Sequence, residues 1–320
     1  MKLSLLNSNL KGDFDLIEQE LETAIYSETE LLRDASVQLL KAGGKRIRPV
    51  FVLLSAKFGS YDIHKVKNVA VALELIHMAS LVHDDVIDDA RLRRGITTIN
   101  YQWNDRIAMY TGDYILARSL EYMTNIKKPT AHQILSNTII EVCIGEIEQI
   151  KDKYRFNQTL RDYLRRIKRK TALLIAVSCE LGAVSSDVDT HLQKQLYRFG
   201  YFIGMSYQIT DDILDFTASE KDLGKPAGED LRQGNITLPA LYAMGDQYLK
   251  DIISNVNENT SKEQMSAIIA KIKKSGAIDQ SRDLSFRYLT KALAILDELP
   301  ANRAKKALQE IANFIGKRKF

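Results

Sequence analysis

Apolar residues recur at three- and four-residue spacing along almost the whole chain, which is the period of amphipathic helices. Strand-like alternation is scarce. The spacing predicts helices over about 13–41, 46–58, 63–90, 97–126, 130–154, 158–184, 188–217, 236–255, 261–275, 279–298 and 301–315. Breaks are predicted at Gly43-Gly44, Gly59-Ser60, Gly95 and Lys128-Pro129. The longest non-helical stretch runs from Thr217 to Asn235 and is rich in Gly, Lys and Asp. Only 5 prolines occur in 320 residues, so long uninterrupted helices are allowed. Neither an internal repeat nor a Pro/Gly/Ser-rich linker is present. The expectation is an all-α bundle forming a single domain over residues 1–320, with function placed between facing helices.

Two acidic pentads interrupt this apolar pattern: Asp84-Asp85-Val86-Ile87-Asp88 and Asp211-Asp212-Ile213-Leu214-Asp215. Both read DDxxD, and both sit in apolar helical sequence, LVHDDVID and YQITDDILDF. Helical spacing puts the first and last Asp of each pentad on one face, one turn apart. Carboxylates at ~4 Å repel by about 1 kcal/mol even in water, and by more in a cleft. Hard cations such as Mg2+ relieve that repulsion and bridge carboxylates to substrate phosphates. Two opposed faces of this kind would make a magnesium–diphosphate clamp. Taken singly, a DDxxD is more often a solvated helix face. The apolar Val86, Ile87, Ile213 and Leu214 predict instead that each helix is buried on its other side.

Basic residues cluster near the pentads. Gly43-Gly44-Lys45-Arg46-Ile47-Arg48-Pro49 is a glycine turn entering a helix, with backbone N–H groups and fixed cations that suit a diphosphate. Arg93-Arg94-Gly95 follows the first pentad, Lys170-Thr171 opens the apolar run ALLIAV, and Lys225 follows the second pentad. Each alone reads as surface decoration; the repeated proximity to Asp pentads is the signal. His77 lies two turns before Asp84 on the same face, which makes a phosphate contact plausible. Glu74-Leu75-Ile76-His77 also spells ExxH, the element of a di-iron carboxylate bundle. That design needs a second ExxH, and no other histidine (His64, His83, His132, His191) has Glu three positions before it.

Composition excludes more than it indicates. The net charge of +4, from 45 basic and 41 acidic residues, argues against general nucleic-acid binding. The two cysteines, Cys143 and Cys179, have no metal-ligand spacing and are expected as buried core thiols. The N-terminal MKLSLLNSNLKGDF lacks the pattern of a signal peptide, and no apolar run approaches the ~20 residues of a membrane span. A cytoplasmic protein that touches a membrane surface is expected.

GGKRIRP, ELIHxASLVHDDVID, RRG, Lys170-Thr171, YQITDDILD and GKPAGEDLRQGNITLP occur in the order found in trans-polyprenyl diphosphate synthases. The chain resembles that family over roughly residues 10 to 320. Among its branches it is most similar to the large catalytic subunits of two-component heptaprenyl diphosphate synthases. The terminal GKRKF resembles that branch too.

The resemblance implies an isoprenoid-synthase-type helical bundle with a central cleft, Mg2+ as cofactor, and isopentenyl diphosphate and an allylic diphosphate as substrates. It assigns Asp84, Asp88, Asp211 and Asp215 as magnesium ligands, with Asp85 in a supporting position and Asp212 on the second metal-binding side. Arg93, Lys170, Thr171, Gln208 and Lys225 become allylic-diphosphate contacts. Lys45, Arg48, His77 and Arg94 become the isopentenyl diphosphate pocket. Ala79 and Ser80 match the tunnel floor that sets product length, and their small size, with Gly200 and Gly204, favours a long product; close helix packing is the other reading of such glycines. Two departures stand out: Asn235 replaces a frequent Lys, and Tyr207 a frequent Phe. The implied assembly is a heterodimer with a small regulatory subunit, with a homodimeric synthase of another long product as the alternative. A terpene cyclase, which pairs DDxxD with a different second motif, and a regulatory subunit without activity are the remaining readings.

Overall fold

The computed structural model describes residues 10–219 and 226–317. Its described elements run α1 (Lys11–Ala24), α2 (Glu30–Lys41), α3 (Ile47–Ala56), α4 (Ile63–Ile87), β1 (Leu92–Arg93), β2 (Ile96–Thr97), α5 (Ile99–Gln102), α6 (Asp105–Thr124), α7 (Pro129–Asp152) and α8 (Leu160–Ile167). A π-helical turn, Lys168–Ala172, leads into α9 (Leu173–Ser185). The chain continues through α10 (Thr190–Thr217), α11 (Glu229–Arg232), α12 (Leu238–Ala243), α13 (Gln247–Ile253), α14 (Lys262–Lys274), α15 (Ala277–Glu298) and α16 (Arg303–Lys317). The class is all-α, as the periodicity predicts.

Several predicted helices are divided. The span 13–41 becomes α1 and α2, because Thr29 is extended (ψ 111°) and Ser27 Oγ accepts its N–H at 3.2 Å. The span 97–126 becomes α5 and α6, because Asn104 is extended and its Oδ1 accepts the Ile107 N–H at 2.9 Å as an N-cap. The span 236–255 becomes α12 and α13, with Asp246 capping the second through the Leu249 N–H at 3.0 Å. Predicted helix 63–90 stops at Ile87, and α11 forms inside a stretch expected to be non-helical.

The described residues fall into two compact units, one holding 10–137, 177–197 and 299–310, the other the remainder. In the first unit α4 is the central helix. Val66, Val69, Ala70, Leu73, Leu75, Ile76, Ala79 and Val82 are all buried, and they cover every side of it. It packs on α1, α3 and α6. The buried Ala108, Thr111, Gly112, Ile115 and Ser119 make one face of α6. In the second unit Tyr163, Ile167, Ala172, Ile209, Ile213, Phe216, Leu231, Leu238 and Ile269 share one apolar core.

Two expectations are corrected here. Cys179 is buried, but Cys143 is exposed. Helix α7 buries the face of Thr138, Val142, Gly145 and Gln149, and turns Ile140, Cys143, Ile144 and Ile147 outward. Both faces carry apolar residues, so periodicity could not choose between them. Ile87, expected on a buried side, is also exposed.

Gly204 packs rather than opens space. A Cβ there would stand 2.5 Å from Ala172 Cα, next to the π-helical turn. In a helix Gly→Ala ordinarily gains roughly 1 kcal/mol, whereas overpacking a close contact costs about 1–3 kcal/mol. Here the contact is backbone and the second effect should win. Gly204→Ala is therefore expected to destabilise the protein by about 1–2 kcal/mol, read as a lower midpoint in urea; a raised midpoint would mean the position faces open space.

Candidate active site

The first pentad closes the C-terminal end of α4. The Asp88 N–H donates to the Asp84 carbonyl at 2.9 Å, which fixes the one-turn spacing of the outer pair. Asp84 and Asp88 are half-buried, and Asp85 is buried. Asp85 is claimed by Arg93: Nε donates to its two oxygens at 2.8 and 2.9 Å, and Nη2 donates to Oδ1 at 2.6 Å. Burial pushes the Asp85 carboxyl up, and Arg93 pulls it back. Asp85 is thereby tied to the hairpin that carries Arg93.

A two-residue hairpin presents the two arginines. Arg94 and Gly95 both have positive φ (53° and 81°), the conformation of a type I′ turn joining β1 to β2. Arg94 is exposed, and its Nη1 would stand 3.0 Å from a Cβ built on Gly44 of the GGKRIRP turn, so a side chain there would push the guanidinium aside by a few tenths of an ångström. Lys45 is exposed and Arg48 half-buried there. His77 belongs to the same cluster. Its imidazole is held well below its ordinary range, first by burial and then by Arg48, Arg94, Arg93 and Arg46. A neutral His77 can donate one hydrogen bond to a phosphate without adding charge. The first unit therefore brings together His77, Arg93 and Arg94 in one small pocket, with Glu74 and Arg46 also in its wall. Ala79 is buried on α4, and Ser80 Oγ donates back to the His77 carbonyl at 2.9 Å.

The second pentad lies near the end of α10, within the second unit. Asp211 is half-buried, while Asp212 and Asp215 are buried, Asp215 to 1% exposure. A continuous network leads into it. Thr171 Oγ1 donates to Gln208 Oε1 at 2.6 Å, Gln208 Nε2 donates to Asp212 Oδ1 at 2.7 Å, and Tyr163 Oη donates to Asp212 Oδ2 at 2.7 Å. Burial still dominates and pushes the Asp212 carboxyl up to about 7 despite those two donors. Lys170 Nζ donates to Gln149 Oε1 at 2.8 Å. Lys170 and Thr171 stand on the π-helical turn, a local widening that often marks functional positions and here re-aims both side chains relative to a regular helix. Asn235 follows Gly234, whose φ of 84° lets Tyr154 pack where a Cβ would sit; the Asn235 N–H donates to the Asp230 carbonyl at 2.8 Å. Tyr207 and Gly200 lie on α10. Lys225 lies outside the described residues, as do the last three residues of the GKRKF terminus.

Sequence reasoning did not single out Tyr163 or Gln149, gave Glu74 no role in this site, and counted Arg46 only among the fixed cations of the glycine turn. Gln149 had no readable signal, because both faces of α7 carry apolar residues and periodicity does not show which one is covered. Tyr163 had none, because nothing in LRDYLRRI distinguishes a core tyrosine from a hydrogen-bonding one.

A family model described as polyprenyl synthetase matches residues 29–272. The chain belongs to the polyprenyl synthetase family. It is 62% identical to heptaprenyl diphosphate synthase component 2 of Bacillus subtilis, with all of this chain and 92% of that protein covered. It is 60% identical to the component 2 of Geobacillus stearothermophilus, covering both in full. The crystal structure of heptaprenyl diphosphate synthase from Staphylococcus aureus superposes with a TM-score of 0.93 at 44% identity, over 97% of this chain and 98% of that one. As a member of this family the chain is a prenyltransferase, and such enzymes generally use Mg2+.

The donors present fit that ion. They are hard carboxylate oxygens, and among the described residues no three potential ligands stand close enough to hold a metal alone. Mg2+ suits this arrangement, because it binds through one or two carboxylates, retained waters and substrate phosphates rather than a closed protein cage. No described helix is long and apolar enough to cross a membrane.

The depressed His77 pKa has a stability consequence. In the unfolded chain an imidazole titrates near about 6.5, whereas folded His77 takes its proton only at lower pH. Its contribution is thus fully present above that value and is lost as the pH falls through it. The thermal midpoint should drop between about pH 7 and pH 5, and His77→Gln should flatten the drop by up to one proton's worth of slope. Identical slopes in both proteins would contradict a neutral folded His77.

Proposed function

We propose that this chain is the catalytic subunit of a heptaprenyl diphosphate synthase. It condenses isopentenyl diphosphate with an allylic diphosphate and repeats the step to an all-trans heptaprenyl product for a menaquinone side chain. The observation that carries the reading is the recurrence in each unit of an Asp pentad beside its own set of side chains whose chemistry suits a phosphate. His77, Arg93 and Arg94 accompany the first pentad, and Lys170, Thr171 and Gln208 the second. The names of the two bacterial relatives support the product and, through "component 2", a partner subunit. The chain is read as one polyprenyl synthase domain because the family match runs continuously through residues of both units.

Asp84, Asp88, Asp211 and Asp215 would hold Mg2+, which supplies the positive charge that lets diphosphate depart as an anion. Lys170 and Arg93 add fixed positive charge on the allylic diphosphate, with Thr171, Gln208 and Lys225 as further contacts. Lys45, Arg48, His77 and Arg94 hold isopentenyl diphosphate. The allylic C–O bond breaks with its electron pair on the diphosphate, and the alkene of isopentenyl diphosphate attacks the resulting cation. A carbon–carbon bond forms, and a proton passes to the released diphosphate as the new trans double bond closes. No step needs a side-chain nucleophile. Ala79 and Ser80, both small, leave the path of the growing chain open. The partner is a smaller regulatory subunit, with a homodimer as the alternative. The setting is the cytoplasm, with product delivered at a membrane surface. The non-catalytic reading of the fold is disfavoured by the two complete pentads.

Asp84→Ala removes a ligand and relieves carboxylate repulsion without touching the core. It should lower incorporation of radiolabelled isopentenyl diphosphate by about a hundredfold or more while leaving the far-ultraviolet circular dichroism unchanged. EDTA should abolish incorporation by the unmodified enzyme. Retained activity in either experiment would contradict the assignment.

A further inference from the structure

The three cations of the GGKRIRP turn are not equivalent. Arg46 is buried to 8% exposure, whereas Lys45 is exposed and Arg48 half-buried. The Arg46 guanidinium is surrounded by carboxylates. Nε and Nη2 donate to the two oxygens of Glu18 at 2.7 and 3.3 Å, and Nη1 donates to Glu74 Oε1 at 3.1 Å. Two carboxylates around one guanidinium leave it little charge to offer a diphosphate. Arg46 also stands in the left-handed region (φ 48°, ψ 41°) as the residue that enters α3. A non-glycine residue adopts that conformation only when its surroundings hold it there.

Glu74 is the less expected member. It is only 3% exposed, Oε1 is taken by Arg46, and Oε2 has no hydrogen-bond partner among the described residues. It lies one helical turn before His77 on α4, in the wall of the pocket that also holds His77, Arg93 and Arg94. A negative charge there repels a diphosphate through its field. Its contact with Arg46 gives it a different use. Arg46 Nη1 and Arg94 Nη1 stand 3.1 and 3.0 Å from the position of a Cβ on Gly44, so the guanidinium pinned by Glu74 shares the small space over the turn with the one presented by the hairpin.

We infer that Glu18, Arg46 and Glu74 form a positioning unit for the isopentenyl diphosphate pocket, in which Arg46 is a strut rather than a phosphate ligand. The unit ties α1 and α4 to the turn and thereby sets where Lys45 and Arg48 stand relative to His77 and Arg94. This inference rests on the assignment of those four residues to isopentenyl diphosphate.

The sign of one substitution separates positioning from charge. Glu74→Gln preserves shape and removes a negative charge. If Glu74 acted only through its field, the variant would bind isopentenyl diphosphate more tightly. As an anchor for Arg46, its loss should raise the KM for isopentenyl diphosphate about tenfold, with kcat and the KM for the allylic substrate within about twofold. Arg46→Asn tolerates the left-handed backbone but cannot reach either carboxylate, and it should raise the same KM at least as much. Glu18→Gln should give a smaller rise, and because Glu18 is 41% exposed its variant decides the matter if Glu74→Gln does not fold.

Arg48→Ala is measured alongside. If it raises the KM for isopentenyl diphosphate and the three variants do not, the strut is wrong and the pocket stands. If Arg48→Ala has no effect either, the pocket assignment falls and takes the strut with it. A lowered KM in Glu74→Gln, or equal shifts for both substrates, overturns the inference directly.

Discussion

Helix α4 is buried around almost its whole circumference, and the arrangement of the first unit follows from that constraint. Apolar positions on such a helix need only volume, but every polar group on it must find a partner or serve a ligand. Asp85 takes Arg93 and so fixes the hairpin. Glu74 takes Arg46 and so fixes the glycine turn. Ser80 returns its hydroxyl to the helix's own backbone. Stripping one partner from a buried ion pair costs about 3–5 kcal/mol, far more than an exposed pair is worth. These pairs fix the end of α4, the hairpin and the glycine turn around the half-buried Asp84, Asp88 and His77, the residues to which the proposed function gives the chemistry.

The second unit solves the same problem with neutral donors. Asp212 is buried, and the hydroxyl of Tyr163 and the amide of Gln208 donate to its two oxygens. Burial outweighs those two hydrogen bonds, which is why its carboxyl sits near 7 rather than in the usual carboxylate range. Positive charge introduced nearby would draw it back toward ionisation. Thr171 joins this network from within the π-helical turn, so the turn and the hydrogen bonds belong to one device.

The sequence made the helical class, both pentads and the surrounding cations legible, because those signals are local: period, motif and charge. Pairing is not local, and this is where sequence reasoning stopped. Arg46 and Arg48 stand two positions apart in one motif, yet the first is enclosed by carboxylates from α1 and α4. The Arg94-Gly95 hairpin lacks the Asn-Gly or Asp-Gly signature and read only as a break. The π-helical turn has no compositional mark in KRKTA. Cys143 stands on α7, which is apolar on both faces, and only packing reveals which one is covered. Gly204 shows the same limit from the other side, since a small residue reads alike whether it admits a ligand or a neighbouring backbone.

The central claim is that these buried scaffolds hold a repeated, metal-dependent prenyl transfer. It is tested most directly by supplying the purified chain with radiolabelled isopentenyl diphosphate, farnesyl diphosphate and Mg2+, with and without the smaller subunit, and sizing the products by chromatography. An all-trans heptaprenyl product is expected when both subunits are present, and little long product from this chain alone. Absence of incorporation under both conditions would contradict it.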